Sequence, residues 1–310
     1  MRRMMLATTT LLLVGATEPP QERVVTGDGV IEARIGGQAA RTRIDPAAPA
    51  MPLIDLALAE RAGLKLTGSW GISIGYKVGG VSVMTRTQAV EVDLGNGPDK
   101  RRVGWAQRPF APGVDVSVGP AALAEPIVRF QLRPSRLGET TTNFPAMHES
   151  GPLGMFGDFS ATYARIDVGG APMRVRFDPY HARTLASAGA AVRLANLHDG
   201  VVSGDAVPTE IFFGVERPVR TLTLRKPMAL GPLTLATMGV RTGDMGNAAS
   251  IREADAPVEV ADPDEVVVTA KGKTRNMRHD TLSIGADQLD RCSSIVFDRR
   301  AGVIRLTCTG

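Results

Sequence analysis

The sequence predicts an all-β protein made of two related β-rich lobes with short helices, produced by duplication of one supersecondary unit. Three observations carry this expectation. The pattern Gly-Gly, three residues, Arg-x-Arg, an apolar residue, Asp-Pro spans residues 36–46 and recurs without a gap over residues 169–179. Apolar and polar residues alternate with period two around both copies, as half-buried strands require. The 34 glycines and 21 prolines among 310 residues provide the turns that many short strands need.

Each element follows from its residues. In the first copy Ile31, Ala33 and Ile35 point one way and Glu32 and Arg34 the other; after the turn Ala40, Thr42 and Ile44 alternate with Arg41 and Arg43. The second copy alternates Met173, Val175 and Phe177 with Arg174 and Arg176. Gly-Gly between such strands is a tight hairpin turn. Asp45 and Asp178 therefore each stand just past the inner strand of a hairpin. The proline after each keeps that strand from continuing as a central ladder member. Short helices are expected over residues 53–64 and 184–197. A second element also recurs: Ser117-Val-Gly-Pro-Ala-Ala-Leu123 matches Ser283-Ile-Gly-Ala-Asp-Gln-Leu289. A strand follows each, over residues 127–132 and 294–297. The polar stretch 133–157 reads as a linker between a first lobe, 17–132, carrying Asp45 and a second, 158–310, carrying Asp178.

The start of the chain reads as a secretory signal peptide over residues 1–16: Arg2 and Arg3, an apolar run, and small residues at Val14-Gly15-Ala16. The run is too short to span a bilayer, and no other stretch is long enough, so no transmembrane segment is expected. A periplasmic or secreted protein follows. Cys292 and Cys308 flank a segment that reads as a hairpin turning through residues 298–302. Setting Phe297 opposite Val303 puts Ile295 opposite Arg305 and Cys292 opposite Cys308, within reach of a disulfide, which export favours.

Other chemistries find no support. The net charge of +4 is carried by arginines scattered singly along strands, whereas a nucleic-acid groove needs clustered basic residues and stacking aromatics. His148, His181, His198 and His279 lack metal-ligand spacing. Neither a nucleophile elbow nor a phosphate-cradling glycine loop is present. No cofactor and no metal are expected.

The duplicated motifs resemble the pepsin-like and retropepsin-like aspartic peptidases. In that family each lobe carries a hairpin ending in Asp-Thr/Ser-Gly and, later, an apolar-apolar-Gly loop crossing behind the aspartate. Asp45 with Ser117-Val118-Gly119, and Asp178 with Ser283-Ile284-Gly285, are similar to those elements. Residues 284–306 resemble the family's closing segment. Residues 74–84 resemble its flap hairpin, with Tyr76 at the flap-tyrosine position and Gly79 and Gly80 at the tip. The resemblance implies a bilobal pepsin-like (acid protease) fold and hydrolysis of peptide bonds by a water held between Asp45 and Asp178. Two close carboxylates share one proton; the ionised one takes a proton from water while the protonated one polarises the peptide carbonyl.

Both triplets depart from the family pattern, as Asp45-Pro46-Ala47 and Asp178-Pro179-Tyr180. Proline lacks the hydroxyl and the backbone donor that support the loop in that family, and tyrosine is hard to place where glycine is usual. A second expectation is thus a catalytically inactive relative that keeps the cleft as a peptide- or protein-binding module. Each aspartate also reads, singly, as a turn starter before proline, and Tyr76 as an ordinary hairpin aromatic. Residues 262–272 resemble a TonB box, implying a TonB-like partner; they equally read as an edge strand ended by Lys271 and Gly272.

Overall fold

A computed structural model describes residues 21–65, 72–108, 110–148, 160–244, 247–256 and 280–310. The signal-peptide segment and residues 262–272 lie outside the described residues. The chain is mostly β with few helices, and no described helix is long and apolar enough to cross a membrane.

Strand β1 (Glu22–Thr26) is followed by a first set: β2 (Val30–Ile35), β3 (Gln38–Ile44), β4 (Leu53–Ile54), β5 (Ser73–Val78), β6 (Val81–Asp93), β7 (Asp99–Trp105) and β8 (Val116–Val118). Next come β9 (Ile127–Gln131) and β10 (Thr140–His148). A second set comprises β11 (Thr162–Val168), β12 (Ala171–Phe177), β13 (Leu185–Ala186), β14 (Gly200–Phe212), β15 (Val215–Leu230), β16 (Leu233–Arg241) and β17 (Thr281–Ile284). Strands β18 (Cys292–Asp298) and β19 (Val303–Cys308) follow. The first set forms a seven-stranded sheet in the order β2-β3-β8-β4-β7-β6-β5. The second set runs β11-β12-β17-β13-β16-β15-β14, the same order element for element, inside a twelve-stranded sheet.

The duplication reaches single registers. Arg43 pairs with Ser117 and Ile44 with Val118 in a parallel ladder, as Arg176 does with Ser283 and Phe177 with Ile284. The alternation expected of the hairpins is present: Ala40, Thr42 and Ile44 are buried, as are Met173, Val175 and Phe177. Gly36-Gly37 and Gly169-Gly170 have positive φ at both residues, the requirement of a two-residue turn matched to strand twist. The helices begin later than expected. Leu53–Ile54 and Leu185–Ala186 are instead short strands, each inserted beside the Ser117 or Ser283 strand. Helix α1 (Leu56–Arg61) then starts at the Asp55 cap, whose carboxylate accepts from Leu58 N. Helix α2 (Ala188–His198) starts at Ser187, whose hydroxyl accepts from Ala190 N. Capping satisfies otherwise unpaired N–H groups.

The remaining strands extend the sheet of the second set. β1 pairs with β9, β9 with β18, β18 with β19 and β19 with β10, which continues into β11. Thus part of the stretch expected as a linker, Thr140–His148, is a strand of the twelve-stranded sheet. β18 is buried along its whole length, and Phe130 and Phe297 meet edge to face across the β9–β18 pair.

The register of the β18–β19 hairpin differs by one residue from the expectation. Phe297 pairs with Ile304 rather than Val303, and Ile295 with Leu306 rather than Arg305. This pairing puts buried apolar residues opposite each other, and a bulge at Ser293 absorbs the extra residue, so that Cys292 still faces Cys308. The two form a disulfide. A loop of about 15 residues closed in this way contributes about 3 kcal/mol. A Cys292→Ala/Cys308→Ala variant is expected to lose that much stability in urea unfolding; an unchanged midpoint would show that the hairpin is held by its ladder alone.

Candidate functional site

Asp45 and Asp178 stand one residue past β3 and β12, and their backbones are anchored alike. Asp45 N donates to Val118 O at 2.9 Å, and Asp178 N donates to Ile284 O at 2.8 Å. The next residue in each case is a glycine passing directly behind the aspartate loop. A Cβ on Gly119 would lie 2.2 Å from Ala48 O; one on Gly285 would lie 2.6 Å from Arg183 O and 2.8 Å from His181 O. Gly119 N donates to Pro49 O at 2.7 Å, and Ala286 N donates to His181 O at 2.8 Å. Each aspartate is therefore clamped between a parallel ladder and a crossing strand that only glycine permits.

The Asp-Pro sequences form turns. Ala48 N donates to Asp45 O at 3.1 Å, and His181 N to Asp178 O at 3.2 Å, with proline at the position whose φ it pre-sets. Ala47 N donates to Asp45 Oδ1 at 2.7 Å, and the backbone N–H groups of Tyr180 and His181 bond the Asp178 carboxylate. Neither Ala47 nor Tyr180 has positive φ. The expected misfit of tyrosine after Asp178 is thus absent: its N–H orients the carboxylate, and its ring leaves the loop. The Tyr180 hydroxyl packs against the backbone at Gly29, where a Cβ would come within 2.2 Å. The Arg43 guanidinium lies 5.4 Å from the ring centroid. A side chain of the second set thereby reaches the first set beside Asp45, a contact that no local pattern announced.

The carboxyls interact. Burial, then the charge of Asp178, raises Asp45 from 3.8 to about 7, against the Ala47 N–H and the Arg43 and Arg176 guanidiniums. Burial also raises Asp178, opposed by His181, Arg176 and the two backbone N–H groups. Asp45 is only 8% exposed, whereas Asp178 is half-buried and lines a cavity of about 640 Å³. Two buried, interacting carboxyls of this kind share one proton, and Asp178 is the member in contact with the cavity.

The β5–β6 hairpin covers that cavity. Gly79 and Gly80 form its tip with φ of 53° and 81°; Tyr76 and Gly79 line the cavity, and Gly80 does not. Burial, then Tyr163, pushes the Tyr76 phenol up from its ordinary value. Its ring meets Phe213 edge to face at 5.2 Å, and Phe213 meets Phe110 at 4.9 Å. Phe213 sits at the tip of the β14–β15 hairpin with φ of 56°, a sparsely populated conformation for a bulky residue. β14 and β15 occupy in the second sheet the places of β5 and β6 in the first. The two tips also share a polar contact, Arg217 Nε donating to Gly79 O, and Arg108 Nη1, from the segment after β7, donates to Gly214 O at the second tip. A duplicated hairpin pair thus closes over the cavity, with a small apolar cluster where the tips touch.

No family model and no curated protein matches this sequence. The site is therefore read from its own geometry. Sequence reasoning named Tyr180 only as a misfit and missed Phe213, for which the aromatic pair Phe212-Phe213 before Gly214 was the local signal.

Proposed function

We propose that this chain is an exported aspartic-peptidase-like hydrolase with a bilobal pepsin-like fold. It cleaves peptide bonds with a water held between Asp45 and Asp178. The observation that carries the reading is the coupled pair: two aspartates from duplicated hairpins, one buried and raised to about 7, the other facing the cavity. Ionised Asp178 takes a proton from the water as its oxygen attacks the peptide carbon. Protonated Asp45 donates to the carbonyl oxygen, so the tetrahedral intermediate forms without separated charge. Return of a proton to the nitrogen and collapse release the two fragments. Export is supported by the apolar start of the sequence and by the disulfide.

The test is hydrolysis of unfolded casein between about pH 3 and pH 7, the range over which a carboxylate pair holds one proton. Asp45→Asn and Asp178→Asn are each expected to lose on the order of 1,000-fold in rate. Activity surviving in either variant would remove the pair from the mechanism. A second reading is a peptide-binding relative without turnover. It is favoured by one observation: proline stands at both positions where a hydroxyl residue supports the family's aspartate loops. Peptide binding with no casein hydrolysis at any pH would select it.

A further inference from the structure

Successive residues of the loop after β12 face two different cavities. Asp178 and His181 line the cavity of about 640 Å³ beneath the covering hairpins. Pro179 and Tyr180, which lie between them in the chain, line a second cavity of about 240 Å³ together with Gly27, Arg133 and Asp290. Asp45 lines neither. The loop therefore divides the two spaces, and the buried member of the pair is closed off from both.

Tyr180 stands between the second cavity and Asp45. At its near end the backbone N–H bonds the Asp178 carboxylate. At its far end the hydroxyl fills the place of the missing side chain of Gly29, whose φ is 71°. A Cβ there would lie 2.2 Å from the hydroxyl oxygen and 2.7 Å from Ile44 O. Gly29 O accepts from Ile44 N at 2.9 Å, so the tip of the ring abuts the backbone that leads into Asp45. The Arg43 guanidinium lies 5.4 Å from the ring centroid. Burial, then the charge of Asp45, raises the Tyr180 phenol; Arg43 lowers it, and Asp28 and Asp178 raise it further. One side chain is thus within electrostatic reach of both carboxyls. Its repeat partner is Ala47, a buried residue with no ring, so only the second set supplies such a group.

We infer that Tyr180 is a positioning residue, a plug that closes the aspartate pair against the second cavity and keeps water from reaching Asp45 from behind. The inference rests on Asp45 and Asp178 being the working pair, as proposed above, but its readout needs no substrate. With Arg133 and Asp290 in its lining, the second cavity is large and polar enough to hold water. Without the ring that space extends to Asp45. A carboxyl walled from water keeps its proton to higher pH, and one that water reaches gives it up sooner. The charged groups that act on Asp45 are Asp178, Arg43 and Arg176. Removing the ring alters none of them, and an Arg43 freed from the ring would favour the ionised carboxyl as well.

NMR titration of the aspartate carboxyl carbons tests this, with the Asp45 signal assigned by its loss in Asp45→Asn. In the unaltered chain Asp45 is expected to titrate at about 7. The Ala47 N–H, which donates to its carboxylate, is expected to exchange slowly with solvent. Tyr180→Ala should lower the midpoint by about one pH unit or more and speed that exchange. Tyr180→Phe keeps the ring and should leave both unchanged. Tyr180→Leu fills part of the space and should give a smaller fall, which decides the matter if the alanine variant does not fold. An unmoved midpoint in Tyr180→Ala or Tyr180→Leu, even with stability lost, overturns the inference and leaves Tyr180 a packing residue. A fall in Tyr180→Phe as large as in Tyr180→Ala overturns it too, because the ring would then seal nothing. So does fast exchange of the Ala47 N–H in the unaltered chain, a measurement that needs no variant. Failure of the unaltered chain to hydrolyse casein strikes the proposed function alone, and the titrations still decide the plug.

Discussion

Asp45→Asn is expected to be more stable than the parent chain at pH 8, by up to about 4 kcal/mol, and equally stable at pH 3.5. The carboxyl has its ordinary value of 3.8 in the unfolded chain and about 7 when folded. Below about pH 4 both states hold the proton and folding carries no penalty. Between about pH 4 and pH 7 the unfolded chain releases it and the folded chain does not, so stability falls steadily with rising pH. Above pH 7 both are ionised and the loss is constant. Asparagine is neutral throughout, and its Oδ1 still accepts from Ala47 N, so the variant escapes the loss without giving up the turn. Urea unfolding across this range measures the difference. A gap that is the same at pH 3.5 and pH 8 would show that Asp45 ionises normally, which would also remove the proton donor from the mechanism. A residue that weakens the fold at neutral pH is kept for something other than folding.

Gly119→Ala and Gly285→Ala are each expected to cost on the order of 3 kcal/mol. Neither glycine has positive φ, so the backbone conformation admits alanine, and reduced freedom of the unfolded chain would by itself favour the substitution slightly. Space decides the sign. The new methyl would lie 2.2 Å from Ala48 O or 2.5 Å from the Arg183 carbonyl carbon, and backbone in the aspartate loop has nowhere to go without moving the carboxylate. Gly75→Ala is the control: its Cβ would meet only the Met84 side chain, at 3.0 Å from Sδ, and Met84 is exposed and flexible enough to turn away. Unfolding in urea at pH 4 separates the three. A loss in Gly119→Ala no larger than in Gly75→Ala would mean that the crossing strand does not press on the loop.

The parts of this molecule that were legible in the sequence are those fixed by short-range chemistry or by repetition. Gly36-Gly37 and Gly169-Gly170 at equal offsets from Asp45 and Asp178 announced two equivalent hairpins. Alternation announced their buried faces, and the Ser-apolar-Gly motifs announced strands of matching role. What stayed hidden depends on partners distant in sequence. Leu53–Ile54 and Leu185–Ala186 read as helix because they precede capped helical segments; each is a strand only because β8 or β17 lies alongside. The register of β18 on β19 turned on a bulge at Ser293, which no hydrophobic count reveals. Tyr180 looked like a defect beside Asp178 until its ring was seen to fill space at Gly29.

The β18–β19 hairpin lies between β9 and β10 in the twelve-stranded sheet. Residues 292–308 follow every other described strand in the chain, yet they lie inside that sheet. Without them, β9 and β10 have open edges and nothing joins them. A chain that stops short of residue 292 would thus leave two unsatisfied ladders exposed.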